Sequence, residues 1–200
     1  MTMRVILASA SSGRLDTLRR AGIAAEVIVS GVDEDAFHAD TPAELVAALA
    51  TAKGRAVVAT LEPLAPDTVV IACDSLLELD GRACGKPGTP DRARAQWQEM
   101  RGGTGLLHTG HFVAVAGASA TSVGTTTIRF ADVSDAEIDA YIATGEPLNV
   151  AGACTIDGYG GAFIEGIDGD PHNVVGISLP LLRVMLAELG VPYCALWENP

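Results

Sequence analysis

Thr68–Pro87 reads TVVIACDSLLELDGRACGKP, and the pattern in it decides the fold. Val69, Val70 and Ile71 form a β-branched apolar run, the mark of a strand buried on both faces. That strand is expected to deliver an acid and a hydroxyl, Asp74 and Ser75, to its C-terminal end, where open α/β sheets bind ligands. After LLELD, Asp80-Gly81 is a two-residue hairpin signal. The returning strand ends at Gly85-Lys86-Pro87, which sets a cation close to the acid in sequence. An acid and a lysine at the open end of a sheet suit a metal-bound phosphate better than they suit a core.

Upstream, RVILASA (4–10) reads as a first strand, followed by Ser11, Ser12, Gly13 and a helix to about Ala21 with Leu15 and Leu18 on its apolar face. Gly22 is a natural residue to end it. Arg14 falls in the first turn, where the helix dipole disfavours a cation. It is either a solvated arginine beside capping serines or part of an anion site built from helix-start N–H groups, hydroxyls and guanidinium. Glu26–Ser30 reads as a second strand. Gly31–Asp35 is an acidic loop whose carboxylates make a solvated turn or, less commonly, hold a metal. Thr41-Pro42-Ala43-Glu44 has capping-box spacing and opens a helix that carries Leu45, Leu49 and Ala52 on one face. Lys53 lies on that helix and by itself reads as a surface residue.

Downstream, Thr89-Pro90 opens a helix whose Ala93, Trp97 and Met100 have core spacing. Residues 102–128 contain no Asp, Glu, Lys or Arg and read as two strands, HFVAVAG (111–117) and TTTIRF (125–130), joined through small residues near Gly117–Ser122. RGGTG (101–105) fits neither GxGxxG nor the P-loop pattern. His108 and His111 are an odd number of residues apart on a strand, so they point to opposite faces and cannot share a metal. Ser134-Asp135-Ala136-Glu137 is a second capping box, opening a helix that buries Ile138, Tyr141 and Ile142 and ends at Gly145. AGACTIDGYGGAFIEGIDGDPHNVVG (151–176) reads as many glycines between short apolar strands, with Asp157, Glu165, Asp168 and Asp170 at loop ends. A last helix spans about Leu179–Leu189.

Two hundred residues suffice for one sizeable core, as one domain or as two lobes sharing a sheet. The net charge of −12 argues against a DNA or RNA binder, which needs a basic stripe and stacking rings. Any bound phosphate would need locally placed cations and help from divalent metal. No apolar run approaches the roughly 18 residues that span a bilayer, and Val5–Ala8 falls short of a signal-peptide core. Cys73, Cys84, Cys154 and Cys194 lack CxxC spacing, which points to free thiols in a reducing cytoplasm.

Taken in order, LASASSGR (7–14), Glu34 after a strand, Lys53 on a helix, ACDSLLELDG (72–81), GKP (85–87) and the 151–176 block resemble the Maf family of nucleoside triphosphate pyrophosphatases along nearly the whole chain. The resemblance implies one Maf-like domain over residues 1–200, an elongated α/β structure with a twisted mixed sheet, and two lobes around a deep cleft, as in the inosine-triphosphate pyrophosphatases. It implies metal-dependent hydrolysis of a nucleoside triphosphate to the monophosphate and pyrophosphate, with Mg²⁺ or Mn²⁺ as cofactor. By motif, Ser9 and Arg14 would hold phosphates, Glu34 and Asp74 would bind the metal, and Lys53 and Lys86 would neutralise the triphosphate. Family analogy also implies a homodimer. Leu15 stands where the family has a second arginine, and Gly105 where many members have a histidine. Asp157 stands where the branch acting on dTTP and UTP has glutamine. A carboxylate only accepts hydrogen bonds, which suits the N–H donors of a guanine edge, so Asp157 is a candidate base contact; a turn former before Gly158 is the other reading. Two other functions share the phosphate site: a non-catalytic nucleotide-binding regulator of septum formation, and a nucleotidyltransferase. Finding both carboxylates favours the hydrolase.

Overall fold

The computed structural model describes residues 3–198. Its centre is a mixed sheet of β1 (Arg4–Leu7), β2 (Ala25–Val27), β3 (Thr68–Leu79), β4 (Arg82–Cys84), β5 (Thr104–Val115), β6 (Ala118–Phe130) and β7 (Ile164–Asp168). The spatial order is β2-β1-β3-β5-β6-β7, with β4 also paired to β3. β1 is parallel to β2 and β3, and the remaining pairs are antiparallel. Around it lie α1 (Ser12–Arg20), α2 (Pro42–Thr60), α3 (Pro90–Met100), α4 (Asp135–Ala143), α5 (Pro171–Val175) and α6 (Leu179–Glu188). The mixed α/β architecture is the one expected from the sequence.

β3 differs from the expectation in one respect that shapes the site. It does not end at Asp74 but runs on to Leu79, because β5 pairs with it from Val70 to Glu78. Its opposite edge is covered in two separate places. β1 pairs with Thr68–Ile71, and β4 pairs with Leu77–Leu79. Between those stretches, Ala72–Leu76 have β5 alone as a ladder partner among the described residues. The sheet therefore has a notch where β1 stops, and Asp74 and Ser75 sit in it.

Alternation along β3 then sorts side chains to two faces. Val69, Ile71 and Cys73 pack with Leu18 of α1 and Leu182, Met185 and Leu186 of α6. Val70 and Ala72 pack with Ala50 and Val57 of α2. A third cluster fills the other end of the sheet, where Leu77 and Leu79 meet Trp97 of α3 and Ile138 and Tyr141 of α4. Trp97 is edge-on to Phe130, Tyr141 and Phe163, and its indole N–H donates to the Ala153 carbonyl at 2.9 Å.

The helix starts follow the sequence reading. Thr41 and Glu44 form a complete capping box on α2, with Pro42 in its first turn, and Ser134 and Glu137 do the same for α4. The Asp80-Gly81 hairpin has φ of 49° and 78°, as a type I′ turn requires. Other segments also depart from the expectation. β1 and β2 are shorter than read, ending at Leu7 and Val27. β5 starts at Thr104 rather than His111, and β6 starts at Ala118 rather than Thr125, leaving a turn of Ala116-Gly117. The glycine-rich 151–176 block holds one strand, β7; most of the rest is 3-10 turns and α5.

Candidate functional site

The site grows from the two faces of the notch. Asp74 lies on the α2 face of β3, and Lys53 projects from α2 to meet it with Nζ–Oδ1 of 2.5 Å. The same ammonium reaches Glu34 Oε1 at 2.7 Å, from the 3-10 turn that follows β2. Lys53 and Asp74 side chains are 10% and 9% exposed, whereas Glu34 is 58% exposed at the rim. Close approach of α2 makes this possible. Gly110 pairs in register with Asp74, and a side-chain carbon there would overlap the Val46 carbonyl of α2. Gly54, next to Lys53, presses on Phe112 in the same way. A glycine inside a helix costs about 1 kcal/mol relative to alanine, and here it lets the helix lie against the sheet.

Ser75 lies on the other face, and Arg14 from α1 meets it. Arg14 Nη2 donates to Ser75 Oγ at 3.0 Å, Nη1 donates to Ser9 Oγ at 3.0 Å, and Nε donates to the Gly176 carbonyl at 2.8 Å. Ser9 lies two residues beyond the end of β1, and its hydroxyl also accepts the Ser11 N–H at 3.2 Å. Ser11 caps α1 by accepting the Arg14 N–H. Arg14 is 9% exposed, and its partners among the described residues are all neutral oxygens. A buried guanidinium without a carboxylate is costly unless an anion joins it. Of the two readings of Arg14 left open by its sequence, the solvated arginine is excluded.

Burial raises the Asp74 pKa from the usual carboxylate value, and Lys53 and Arg14 only partly offset that; the Glu34 charge adds to the rise. A carboxylate so placed is a stronger base than one in water. His111, on the Ser75 face, has its pKa lowered to about 4 by burial, so it is a neutral ring. Its Nδ1 donates to the Thr109 carbonyl and its Nε2 accepts the Ser178 N–H. His108 lies on the opposite face between Glu78 and Thr125, so the two histidines do not share a ligand.

Every site residue expected from the sequence lines one cleft of about 970 Å³: Ser9, Arg14, Glu34, Lys53, Asp74, Lys86 and Asp157. Lys86 enters from the segment after β4, and Asp157 from the far wall, where its Oδ1 accepts the Thr155 hydroxyl. Gly105 does not line it; it packs against Leu77 and Leu79 at the other end of the sheet. A second cavity of about 980 Å³ lies between the end of α2 and the β5–β6 turn, but apolar Val58, Leu64, Phe112 and Val115 dominate it. Sequence reasoning missed Gly176, Thr109 and Asn173, which support Arg14 from 162, 95 and 159 residues away in the chain.

The family model for Maf-like proteins matches residues 4–189. The chain belongs to the Maf-like family. It is 54% identical to a nucleoside triphosphate pyrophosphatase of Mycobacterium sp. (strain JLS), with both chains covered in full. It is 53% identical to proteins of the same name from Saccharopolyspora erythraea, covering 99% of each chain, and Streptomyces coelicolor, covering 97% of this chain and 94% of that one. Among solved structures, the Staphylococcus aureus Ham1 protein aligns at a TM-score of 0.41 and 19% identity, covering 64% of this chain and 72% of that one.

The donor set in this Maf-like cleft also bears on a metal. Among the described residues no group of three or more His, Cys, Asp or Glu side chains is placed to enclose an ion. Glu34 and Asp74 instead offer two carboxylates that share Lys53. Two carboxylates are the hard oxygen donors that Mg²⁺ or Mn²⁺ takes, and Mg²⁺ sites typically complete such a pair with water and substrate phosphates.

Proposed function

We propose that this protein hydrolyses a nucleoside triphosphate to the monophosphate and pyrophosphate, on modified or non-canonical nucleotides. The observation that carries the reading is Arg14, a buried cation whose partners among the described residues are all neutral, facing the cleft that also contains the Lys53–Asp74 pair. The names of the relatives at 53–54% identity support the same activity.

A triphosphate carries about four negative charges near neutral pH, so attack by a nucleophile is uphill until cations absorb charge. Arg14 and Ser9 hold phosphate oxygens, and Lys53 and Lys86 stabilise the charge that develops as the bond to pyrophosphate breaks. Removing one such contact costs about 2.7–4 kcal/mol of barrier, by analogy with oxyanion donors. Asp74, with its pKa raised by burial, accepts the proton of the attacking water. Glu34 and Asp74 would hold a divalent metal ion, which would supply Lewis-acid charge against the phosphates. Among the described residues, three cations line the cleft, Arg14, Lys53 and Lys86, against five acids, Asp16, Glu34, Asp35, Asp74 and Asp157. A polyanion would meet net negative charge there, which is the electrostatic case for the metal. Asp157 contacts the base and turns preference away from uracil and thymine.

No described helix is long and apolar enough to cross a membrane. A single-domain homodimer working in the cytoplasm, without nucleic acid or membrane, completes the proposal. The test is a panel of normal and modified triphosphates with Mg²⁺ and Mn²⁺ and no acceptor, following monophosphate and pyrophosphate. Stoichiometric release of both is expected. Orthophosphate release, a requirement for an acceptor, or binding without turnover would refute it.

A further inference from the structure

Arg14 is held by a closed ring of hydrogen bonds whose proton directions can be read off. Arg14 Nη2 donates to Ser75 Oγ at 3.0 Å, Ser75 Oγ lies 2.9 Å from Thr109 Oγ1, and Thr109 Oγ1 donates to the Asn173 carbonyl at 2.9 Å. Asn173 and Gly176 belong to the same short segment, α5 and its end, and Gly176 returns its carbonyl to Arg14 Nε at 2.8 Å.

A hydroxyl has one proton. A carbonyl cannot donate, so the Thr109 proton is committed to Asn173. Thr109 Oγ1 can then only accept from Ser75, which commits the Ser75 proton as well. Ser75 is left with lone pairs toward Arg14. Had the Ser75 proton been free to turn, it would in part of its orientations face a guanidinium N–H, donor against donor. Thr109 is wholly buried, so water cannot take over its place in the chain. Register supports the arrangement: Ser75 and Thr109 are directly paired between β3 and β5, on one face. Gly176 has a φ of +116°, and a side-chain carbon there would sit 3.0 Å from Arg14 Nε and 3.4 Å from Ser75 Oγ.

We infer that Thr109 is a positioning residue: by fixing the Ser75 hydroxyl as an acceptor, it aims the Arg14 guanidinium at the phosphates of the substrate. The inference rests on the role given to Arg14 under the proposed function. Thr109 itself touches neither substrate nor metal in this scheme.

The experiment measures inorganic pyrophosphate binding by calorimetry and triphosphate turnover, with thermal stability alongside. Thr109→Val keeps the shape and removes the hydroxyl. It should weaken pyrophosphate binding and raise KM roughly tenfold, the scale of a misdirected hydrogen bond to a charged group. kcat should change less, and Thr109→Ser should restore both constants. In a Ser75→Ala background the Val substitution should have little further effect, because its route to Arg14 is gone. An unchanged pyrophosphate affinity in Thr109→Val overturns the inference. So does an effect that persists in the Ser75→Ala background, which would mean that Thr109 acts by anchoring α5. If Thr109→Val does not fold, Thr109→Ala removes the hydroxyl without adding a methyl group in its place, and wild-type affinity there overturns the inference equally. Arg14→Met separates the two levels: undiminished pyrophosphate binding in that variant refutes the role of Arg14 itself, whatever Thr109 does.

Discussion

Acid should destabilise this protein through one imidazole. His111 is fully buried, donating from Nδ1 to the Thr109 carbonyl at 2.9 Å and accepting the Ser178 N–H at Nε2 at 2.8 Å. Only the neutral ring satisfies both partners, because a protonated Nε2 would face an N–H with another donor. Burial pushes its pKa from 6.5 to about 4; the Thr109 carbonyl opposes the fall and the Arg14 charge adds to it. A folded-state pKa below that of the open chain gives stability that is complete above pH 6.5 and drains as pH falls toward 4. At about 1.36 kcal/mol for each tenfold, the difference between 6.5 and 4 corresponds to about 3.4 kcal/mol, of which about 2 is lost by pH 5. In a chain of 200 residues, 2 kcal/mol corresponds to about 4–8 °C in Tm.

Urea unfolding at about pH 7.5 and about pH 5, for the wild type and His111→Gln, isolates this contribution. Glutamine keeps a donor and an acceptor but does not titrate. Groups common to both proteins cancel, including Asp74, whose raised pKa acts in the opposite direction over acid pH. The wild type should lose about 2 kcal/mol more than the variant over that interval. A difference below about 0.5 kcal/mol would show that His111 titrates at an ordinary value, and the reasoning would be wrong. The consequence reaches the site as well, since Ser178 follows Gly176 by two residues and Gly176 holds Arg14.

Asp74→Asn should lower turnover by at least about a hundredfold while leaving the protein folded, because Lys53 keeps Glu34 as a charged partner; a variant keeping most of the wild-type rate overturns the assignment. Asp157→Gln should shift kcat/KM toward UTP and dTTP relative to GTP-type substrates, and equal wild-type values across the three would remove the base-contact role. Gly110→Ala should cost about 3 kcal/mol or more in chemical denaturation, since its side-chain carbon would overlap the Val46 carbonyl; a loss below about 0.5 kcal/mol would contradict the close approach of α2.

What the sequence reveals here divides by how far apart the interacting residues lie. The capping boxes at Thr41 and Ser134 and the Asp80-Gly81 turn are local chemistry, complete within about four residues, and each is found where it was read. Asp74 was legible as an acid at the edge of a buried run, and the ordered motifs brought Glu34, Lys53 and Arg14 to it. The continuation of β3 past Asp74 was not legible, because its cause is β5, whose partner residues lie some 30–45 positions on. TGLLHTG, the first half of β5, lacks clean alternation since Gly105 and Gly110 are there for the neighbours that press on them, Leu77 and Leu79 in one case and Val46 in the other. The 151–176 block misled in the opposite sense. Its apolar residues suggested strands, but the Glu146 carboxylate takes the Tyr159 and Gly160 N–H groups at 2.9 Å, which ties that backbone into turns instead of a ladder. The support of Arg14 is the extreme case: Thr109 and the carbonyls of Asn173 and Gly176 carry no motif of their own, and they reach Ser75 and Arg14 only when β3, β5 and α5 are folded together. One strand edge explains why charge and hydroxyl end up side by side. Consecutive residues on β3 face opposite ways, so the notch left by β1 gives Asp74 to the lysine of α2 and Ser75 to the arginine of α1, and one gap in the pairing serves both arms of the cleft.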